Sequence, residues 1–192
     1  MKLLHLDSSI QGNASVSRIV SAAVAKPRRA DNADLDVSYR DLVAAPIKHL
    51  TMTALGDAEA QMLVDEFLAA GIVVIGAALY NFTISSQLKA WVDRIVMTGR
   101  TFGCVENEAE GLAGGRRVIV ALARGGLYSE GSPITKDEHA ETLLRTIFAF
   151  IGIDDAQFIF AEGLALGEEP CGAAIGLALK QVGQIAYARR QA

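Results

Sequence analysis

The stretch GIVVIGAALYNFTISSQLKAWVDRI, residues 71–95, predicts a buried strand, an aromatic turn and the start of a helix. Residues 71–79 form a nearly continuous apolar run, which is typical of a central strand covered on both faces. Beyond the turn, apolar residues recur every three or four positions, as in an amphipathic helix that faces a sheet. The strand therefore leaves the core through Tyr80, Asn81 and Phe82, which favours either a packed turn or a platform for a flat, uncharged ligand.

Apolar runs of strand length alternate with segments of helical period along the whole chain. This alternation predicts an α/β fold, with a parallel sheet that is covered by helices on both faces. The predicted strands are residues 2–7, 35–42, 71–79, 116–123 and 156–164, and the predicted helices are residues 17–25, 58–70, 84–96, 138–151 and 173–189. The second strand alternates between polar and apolar residues, so we expect it at an edge of the sheet. A GLAGG segment at residues 111–115 predicts a turn.

Composition limits the classes of function. A length of 192 residues predicts a single domain over residues 1–192. The formal net charge is −4 and no run of basic residues occurs, so we expect no nucleic-acid partner. No apolar run approaches the roughly 20 residues of a spanning helix, and no signal peptide is evident, so we expect a cytoplasmic protein without a membrane partner. Cys104 and Cys171 lack metal-ligand spacing and His5, His49 and His139 are scattered, so we predict no metal site.

Three loops follow predicted strands and are long, polar or aromatic: residues 8–17, 79–86 and 124–133. In doubly wound sheets, ligands bind in the crevice at the carboxyl ends of the strands, so we expect these loops to form the site. The first loop has four serines before a predicted helix, and hydroxyls with free N–H groups at a helix start suit a phosphate. A lone serine in such a place would more simply be a helix cap.

Several other chemistries of this architecture lack their residues. No GxxxxGK[ST] or GxGxxG motif is present, and the nearest approach, from Gly126, has no lysine. Leu79 and Gly163 stand where a receiver domain needs an aspartate and a lysine. No GxSxG elbow occurs, and neither cysteine has the arginine of a cysteine phosphatase. An uncharged phosphate cradle, an aromatic loop and a Gly-Gly loop remain, and they suit flavin mononucleotide, FMN. The alternative is that Tyr80 and Phe82 are core aromatics and the glycines form a turn.

The sequence resembles the FMN-dependent NADH:quinone oxidoreductases, also called FMN-dependent NADH azoreductases, over nearly its whole length. The resemblance is carried by SSI and SVS in residues 8–17, YNFTISSQLKAWVD from residue 80, TF, EN and EGL in residues 101–112, RGG from residue 124, and FIGI with FAEG in residues 150–163. It implies a flavodoxin-like, doubly wound, five-stranded parallel sheet with strand order 2-1-3-4-5.

The resemblance also implies which residues bind FMN. The implied contacts are Ser9, Ser15, Val16 and Ser17 for the phosphate and ribityl chain, Leu79, Tyr80, Asn81 and Phe82 beside the ring, and Ala123, Arg124, Gly125 and Gly126 at its far edge. Asn81, Phe82, Phe102 and Phe150 are the candidate substrate contacts. The chain departs from the family at Ala78 and Leu79, where Pro-Met is usual, at Ala123, where serine is usual, and at Cys104, where an aromatic is common.

The activity implied is a two-electron transfer from NADH or NADPH to quinones and azo compounds, and also to nitroaromatics, by a ping-pong mechanism. The flavin carries this chemistry, so no side chain is required as a strong acid or base. Family members are homodimers with the site at the subunit interface, and we expect the same here. Two alternatives stay open: an FMN reductase that releases reduced flavin, and a flavodoxin-like carrier or binding module without turnover.

Overall fold

The computed structural model describes residues 1–31, 35–105 and 108–187, and their side chains except those of residues 27–31 and 185–187. One parallel sheet is formed by β1 (Lys2–Asp7), β2 (Asp36–Asp41), β3 (Ile72–Ala78), β6 (Arg117–Ala123) and β7 (Gln157–Ala161). Two short strands, β4 (Phe102–Val105) and β5 (Glu108–Gly111), lie outside it. The order of the main sheet is β2-β1-β3-β6-β7, which confirms the predicted order and the prediction that the second strand is an edge.

Five helices cover the two faces of the sheet. They are α1 (Val16–Asp31), α2 (Ala58–Ala69), α3 (Ser86–Ile95), α4 (Ala140–Phe150) and α5 (Glu168–Tyr187). Helices α1 and α5 pack on one face around a core that includes Val20 and Ala178. Helices α2, α3 and α4 pack on the other face, where Phe67, Trp91 and Phe148 are fully buried. Since both faces are covered, the central strand β3 is buried at every residue, as its continuous apolar sequence predicts.

Among the described residues, the observed bounds differ from the predicted ones by more than two residues in three places. Helix α5 begins at Glu168, ahead of the predicted residue 173, because Pro170 falls in the first turn, where a helix tolerates proline. Residues 188–189, the predicted end of this helix, lie outside the described residues. Helix α1 continues beyond residue 25. Strand β7 ends at Ala161, so the last three predicted strand residues belong to the loop that follows.

The antiparallel hairpin β4–β5 was not predicted from the sequence. Its strands are four residues each and mostly exposed, so they lack the apolar alternation that identifies a strand. The hairpin packs against the end of α4: Ala113 N–H donates to the carbonyl of Ile151 at 2.8 Å. A Cβ at Gly111 would overlap the backbone of Gly152. The close approach of these two glycines explains why EGL and FIGI occur together in the resemblance. In the GLAGG segment, only Gly114 and Gly115 form the turn itself.

The two cysteines are both free thiols, with Cys104 exposed on β4 and Cys171 partly buried on α5. Within the described ranges, no helix has the length and apolar character needed to cross a membrane.

Candidate functional site

The three loops predicted to form the site do meet at the carboxyl edge of the sheet. The strand order reverses between β1 and β3, which is where ligands bind in doubly wound folds. The loops that follow these two strands are joined by Ser9 Oγ and Tyr80 Oη, which lie 2.9 Å apart. Leu79 N–H donates to the carbonyl of Ala123 at 2.8 Å and joins the loop after β3 to the loop after β6.

The first loop ends in a pair of buried hydroxyls. Ser15 Oγ and Ser17 Oγ are 2.9 Å apart, and Ser15 Oγ also accepts from Arg18 N–H at 3.4 Å, as a helix cap does. In the described part of the chain, the N–H groups of Val16 and Ser17 have no acceptor. Unpaired N–H groups at a helix start attract anions, because the helix dipole is positive there. The loop therefore has the donors of an anion cradle without a basic side chain pointing into it.

Arg18, the nearest cation, is bound elsewhere. Its guanidinium donates to both carboxylate oxygens of Asp41, at 2.6 and 2.8 Å, and to the carbonyl of Ser9 at 3.0 Å. The hydrogen bond from Arg18, with backbone bonds from Val43 and Ala44, lowers the pKa of Asp41 to about 2. Burial opposes this shift but is outweighed. Arg18 therefore fixes the first loop to the end of β2.

The second loop is a tight turn with an unusual backbone. Tyr80 and Thr83 exchange two backbone hydrogen bonds, at 2.9 and 3.1 Å. The central residues have positive φ, 47° at Asn81 and 71° at Phe82, as in a type I′ turn. Asparagine tolerates this conformation, but a bulky aromatic at the second position is strained where glycine is usual. The Phe82 side chain is 53% exposed, so burial does not compensate for the strain, and such outliers cluster at functional sites.

The third loop extends the pairing between β6 and β7. The carbonyls of Arg124, Gly125 and Gly126 accept hydrogen bonds from the backbone N–H groups of residues 164, 165 and 163, at 3.2, 3.0 and 3.0 Å. In a trans peptide the carbonyl and the following N–H point in opposite directions. The N–H groups of Gly125 and Gly126 are consequently turned away from the loop after β7.

Four backbone donors are therefore left unpaired at neighbouring strand ends. Over the described ranges, the N–H groups of Asn81, Phe82, Gly125 and Gly126 donate to no protein acceptor. Asn81 and Phe82 are exposed and Gly125 and Gly126 are half-buried, so water or a ligand can satisfy these donors. Their chemistry suits the carbonyl oxygens and ring nitrogens along the polar edge of a flat heterocycle.

The side chain of Arg124 does not reach this edge. It is 2% exposed and surrounded by carboxylates, with its nitrogens 2.8 Å from Glu162 Oε1, 2.9 Å from Glu141 Oε2 and 3.5 Å from Glu138 Oε2. Its Cζ lies 4.2 Å from the ring centre of Phe160. Desolvation raises the pKa of Glu162. Hydrogen bonds from Ser129, Arg124 and the Tyr128 N–H lower it by a larger amount, so the net shift of the pKa is downward. The residues predicted around the ring thus come together, with the Arg124 side chain turned into the protein.

Two residues that the sequence did not indicate hold the second and third loops. His139, just before α4, donates its N–H to the carbonyl of Phe82 at 2.8 Å. Glu162, just after β7, binds Arg124 and also the Tyr128 N–H at 3.1 Å. The FAEG motif contained a signal for Glu162, whereas nothing around His139 distinguishes it from a surface histidine.

Phe102 and Phe150 contact each other, with ring centres 4.8 Å apart, but not the turn at Phe82. The carbonyl of Phe82 is bound beside the first turn of α4, and Phe150 ends that helix. With a rise of 1.5 Å per residue the two ends of α4 are about 15 Å apart. Within one chain the four candidate substrate contacts therefore form two groups, the turn and the Phe102–Phe150 pair.

A separate cavity of about 630 Å³ lies beside the first loop, between α1 and the edge strand β2. Its polar end contains Asp7, whose carboxylate accepts from Ser21 Oγ at 2.8 Å and from Tyr39 Oη at 3.1 Å. Burial, followed by the charge of Asp7, raises the pKa of Tyr39. The polar atoms at this end bind one another, whereas those at the three loops lack partners, so the three-loop crevice is the stronger candidate site.

Comparison with known proteins identifies the family and the fold of the chain. A family model described as flavodoxin-like fold matches residues 1–185. The chain is 54% identical to a protein of Methylorubrum populi, with 88% of this chain and 91% of the relative covered, and 49% identical to one of Methylocella silvestris, with 95% and 96% covered. Both relatives are named FMN-dependent NADH:quinone oxidoreductase.

Solved structures show the same fold at lower identity. An azoreductase from Bacillus anthracis superposes with a TM-score of 0.88 at 23% identity and covers 97% of this chain and 98% of its own. A second B. anthracis structure, an FMN-dependent NADH-azoreductase in complex with FMN, has a TM-score of 0.84 at 24% identity, with 96% and 99% covered.

Proposed function

The chain belongs to the flavodoxin-like family that includes the FMN-dependent NADH:quinone oxidoreductases, and on this premise we propose that it transfers two electrons from NADH, through FMN, to quinones and azo compounds. Identities of 49% and 54% over most of both chains support the enzyme class. The residues of the three-loop crevice provide an independent test of whether FMN fits.

One observation carries the proposal: the unpaired N–H groups of Asn81, Phe82, Gly125 and Gly126 at the ends of two adjacent strands. An isoalloxazine ring has hydrogen-bond acceptors along one edge and an apolar body, so its polar edge would satisfy these donors. The opening of the crevice has small side chains, since Ala78 and Ala123 end β3 and β6. Alanine at position 123 leaves the backbone donors in place and removes only the hydroxyl that is usual there.

The phosphate and ribityl chain would lie on the first loop. Ser9, Ser15 and Ser17 supply hydroxyls, and Val16 and Ser17 supply unpaired N–H groups at the start of α1. The cradle holds a dianion by hydrogen bonds and helix polarity, because Arg18 is bound to Asp41. These donors fit the phosphate without the lysine of a nucleotide-hydrolysing loop.

Bound FMN would supply the redox chemistry, which is hydride acceptance from NADH and two-electron donation to the acceptor. The chain would orient the ring by the backbone donors of the Tyr80–Thr83 turn together with those of Gly125 and Gly126, and it contributes no strong acid or base. We propose that donor and acceptor occupy the same exposed side of the crevice in turn, which is a ping-pong mechanism. Asn81 and Phe82, both exposed at the tip of the turn, are the proposed substrate contacts. A flat aromatic acceptor would stack on the Phe82 ring, so nitroaromatics are also proposed acceptors.

NADH is the donor that the names of the relatives indicate. The arrangement around Arg124 supports it, because this side chain is enclosed by three carboxylates and cannot pair with the 2′-phosphate of NADPH. The expectations of a cytoplasmic location and of no nucleic-acid partner rest on composition.

We propose a homodimer in which the Phe102–Phe150 pair of one subunit lies against the crevice of the other. Within one chain this pair and the turn lie at opposite ends of α4, which is about 15 Å long, and Phe150 and Leu112 are 40% and 47% exposed. A second copy would cover these apolar side chains and bring aromatic groups to the substrate. Light scattering tests the proposal, since a monomer at micromolar concentration would exclude it.

The activity is tested by the absorbance spectrum of the protein after incubation with FMN and desalting. We expect retained flavin bands that bleach with NADH under anaerobic conditions and return with menadione. Bands that are lost on desalting, with activity restored by free FMN, would favour the loosely binding FMN reductase. Retained bands that do not respond to NADH would favour a carrier without turnover.

A further inference from the structure

We propose that Arg124 is a positioning residue: through Glu138, Glu141 and Glu162 it holds the loops after β3 and β6 so that their unpaired backbone N–H groups face the flavin edge. The resemblance places Arg124 among the FMN contacts, but its side chain touches only protein groups. The inference rests on the proposed FMN site and assigns a separate role within it.

Arg124 is almost completely enclosed by other side chains. It is 2% exposed, its terminal nitrogens contact three carboxylates, and its guanidinium stacks on Phe160 at 4.2 Å. A buried arginine among carboxylates is costly to place, because Arg124, Glu138 and Glu162 lose most of their hydration and one cation faces three anions. Apolar side chains would fill the same volume at lower cost. An arrangement of this cost at the first residue of a ligand loop suggests that the loop requires it.

Glu162 binds the third loop at two further places besides Arg124. Its Oε1 accepts from both Arg124 and the backbone N–H of Tyr128, at 2.8 and 3.1 Å, and its Oε2 accepts from Ser129 Oγ. Glu162 therefore fixes the third loop on both sides of Gly125 and Gly126. Within that span, carbonyls bound to the loop after β7 turn the glycine N–H groups away from that loop.

Glu138 connects Arg124 to the second loop. Glu138 contacts Arg124 and accepts from the N–H groups of Ala140 and Glu141, at 3.0 and 3.1 Å, so it caps the start of α4. The next residue, His139, donates its N–H to the carbonyl of Phe82 at 2.8 Å. A shift of Glu138 would therefore be transmitted to the strained turn. The carboxylates around Arg124 link the two loops that carry the four donors.

Arg145 provides a control that shares two kinds of contact with Arg124, although its side chain is 48% exposed. Arg145 also stacks on a β7 aromatic, with its Cζ 4.2 Å from the Phe158 ring, and it also binds Glu141. Its other contact is the carbonyl of Ala156, at the opposite end of β7 from the loops. Arg145→Gln thus removes a similar stacking contact and a bond to the same carboxylate without touching the loops.

The experiment compares Arg124→Gln with Arg145→Gln by two measurements. Hydrogen exchange of the FMN-free proteins, followed by mass spectrometry, reports on residues 80–83 and 124–130. Fluorescence quenching of FMN gives the dissociation constant. For Arg124→Gln we expect faster exchange in both segments and a dissociation constant raised about tenfold, equivalent to about one lost hydrogen bond. For Arg145→Gln we expect neither change in these segments.

A second variant keeps the test decisive if Arg124→Gln does not fold. The double substitution Arg124→Gln with Glu162→Gln removes one positive and one negative charge, so the net charge of the group is preserved. We expect the same faster exchange and weaker FMN binding. The proposal is overturned if either Arg124 variant folds and leaves both exchange segments and the dissociation constant at wild-type values. It is likewise overturned if Arg145→Gln changes them equally.

The proposed function and this role fail in distinguishable ways. If wild-type protein does not bind FMN, the proposed function is wrong, yet the exchange measurement still decides whether Arg124 orders both loops.

Discussion

Ser9 and Tyr80 form a hydrogen bond of 2.9 Å between their hydroxyls, across 71 residues of sequence. Ser9 lies in the first loop, ahead of the anion cradle at residues 15–17, and is fully buried. Tyr80 is the first residue of the strained turn. This bond joins the two loops at the proposed phosphate and ring positions, and it acts with the pairing of β1 and β3 to fix their distance.

Removing the Tyr80 hydroxyl tests this link. Tyr80→Phe leaves Ser9 Oγ with only the weak bond from the Gln11 N–H at 3.3 Å, so we expect a loss of about 1 kcal/mol in the free energy of unfolding. Urea denaturation of the FMN-free protein measures it. The control is Tyr128→Phe, because the Tyr128 hydroxyl has no hydrogen bond within the described residues. Equal stability of the two variants would contradict the link.

Substitutions of Phe82 are expected to affect the stability of the protein and its turnover of quinone in different ways. Phe82→Gly relieves the positive φ of 71°, a strain of about 1–3 kcal/mol, and glycine flexibility in the unfolded chain offsets about 0.5–1 kcal/mol of it. We expect stability in urea to be unchanged or raised, and quinone kcat/KM to fall about tenfold with the loss of the stacking surface. Phe82→Ala keeps the strain and loses the ring. If Phe82→Ala retains wild-type turnover and KM, Phe82 is not a substrate contact.

The Arg18–Asp41 pair predicts a dependence of stability on pH. The folded pKa of Asp41 is about 2, below its ordinary value of 3.8, so the unfolded chain takes up a proton first as the pH falls. The stability due to the pair is present above pH 3.8 and is lost as the pH falls through about 2. Asp41→Asn should be less stable at pH 7 and should show a shallower decline between pH 4 and pH 2 in urea denaturation. A decline of wild-type steepness in Asp41→Asn would refute the assignment.

The close approach of Gly111 and Gly152 predicts a large local cost of substitution. In Gly111→Ala the new methyl group meets the Gly152 backbone, which cannot move aside as a flexible side chain does. We expect a loss of about 1–3 kcal/mol, as in overpacked cores. Gly176→Ala, in α5 with open space around it, should instead raise stability, by up to about 1 kcal/mol. Thermal unfolding measures both, and a neutral Gly111→Ala would mean that the hairpin does not pack as described.

The sequence was sufficient for the main sheet because its signals are local. Strands β1, β3, β6 and β7 are mainly apolar runs that alternate with segments of helical period, and the polar–apolar alternation of β2 marks an edge. The three loops follow from the rule that parallel strands direct their carboxyl ends to one side. Family motifs then indicated the individual residues.

The remaining features depend on contacts between distant residues. The positive φ of Phe82 has no signal, since phenylalanine is not a turn former. The role of Arg124 depends on Glu138, Glu141 and Glu162, which lie 14 to 38 residues away. The hairpin β4–β5 is held by the end of α4 rather than by a pattern of its own. In each case tertiary packing determines the structure, and a single sequence does not encode it in any short segment.

The most direct test of the flavin site is a titration of ¹⁵N-labelled, FMN-free protein with FMN, followed by amide NMR. If the four unpaired donors bind the ring edge, the largest shifts should fall on Asn81, Phe82, Gly125 and Gly126, with smaller ones on Val16 and Ser17. These amides should also exchange with solvent more slowly in the complex. Shifts confined to residues around the cavity between α1 and β2, such as His5 and Tyr39, with the four donors unaffected, would contradict the account.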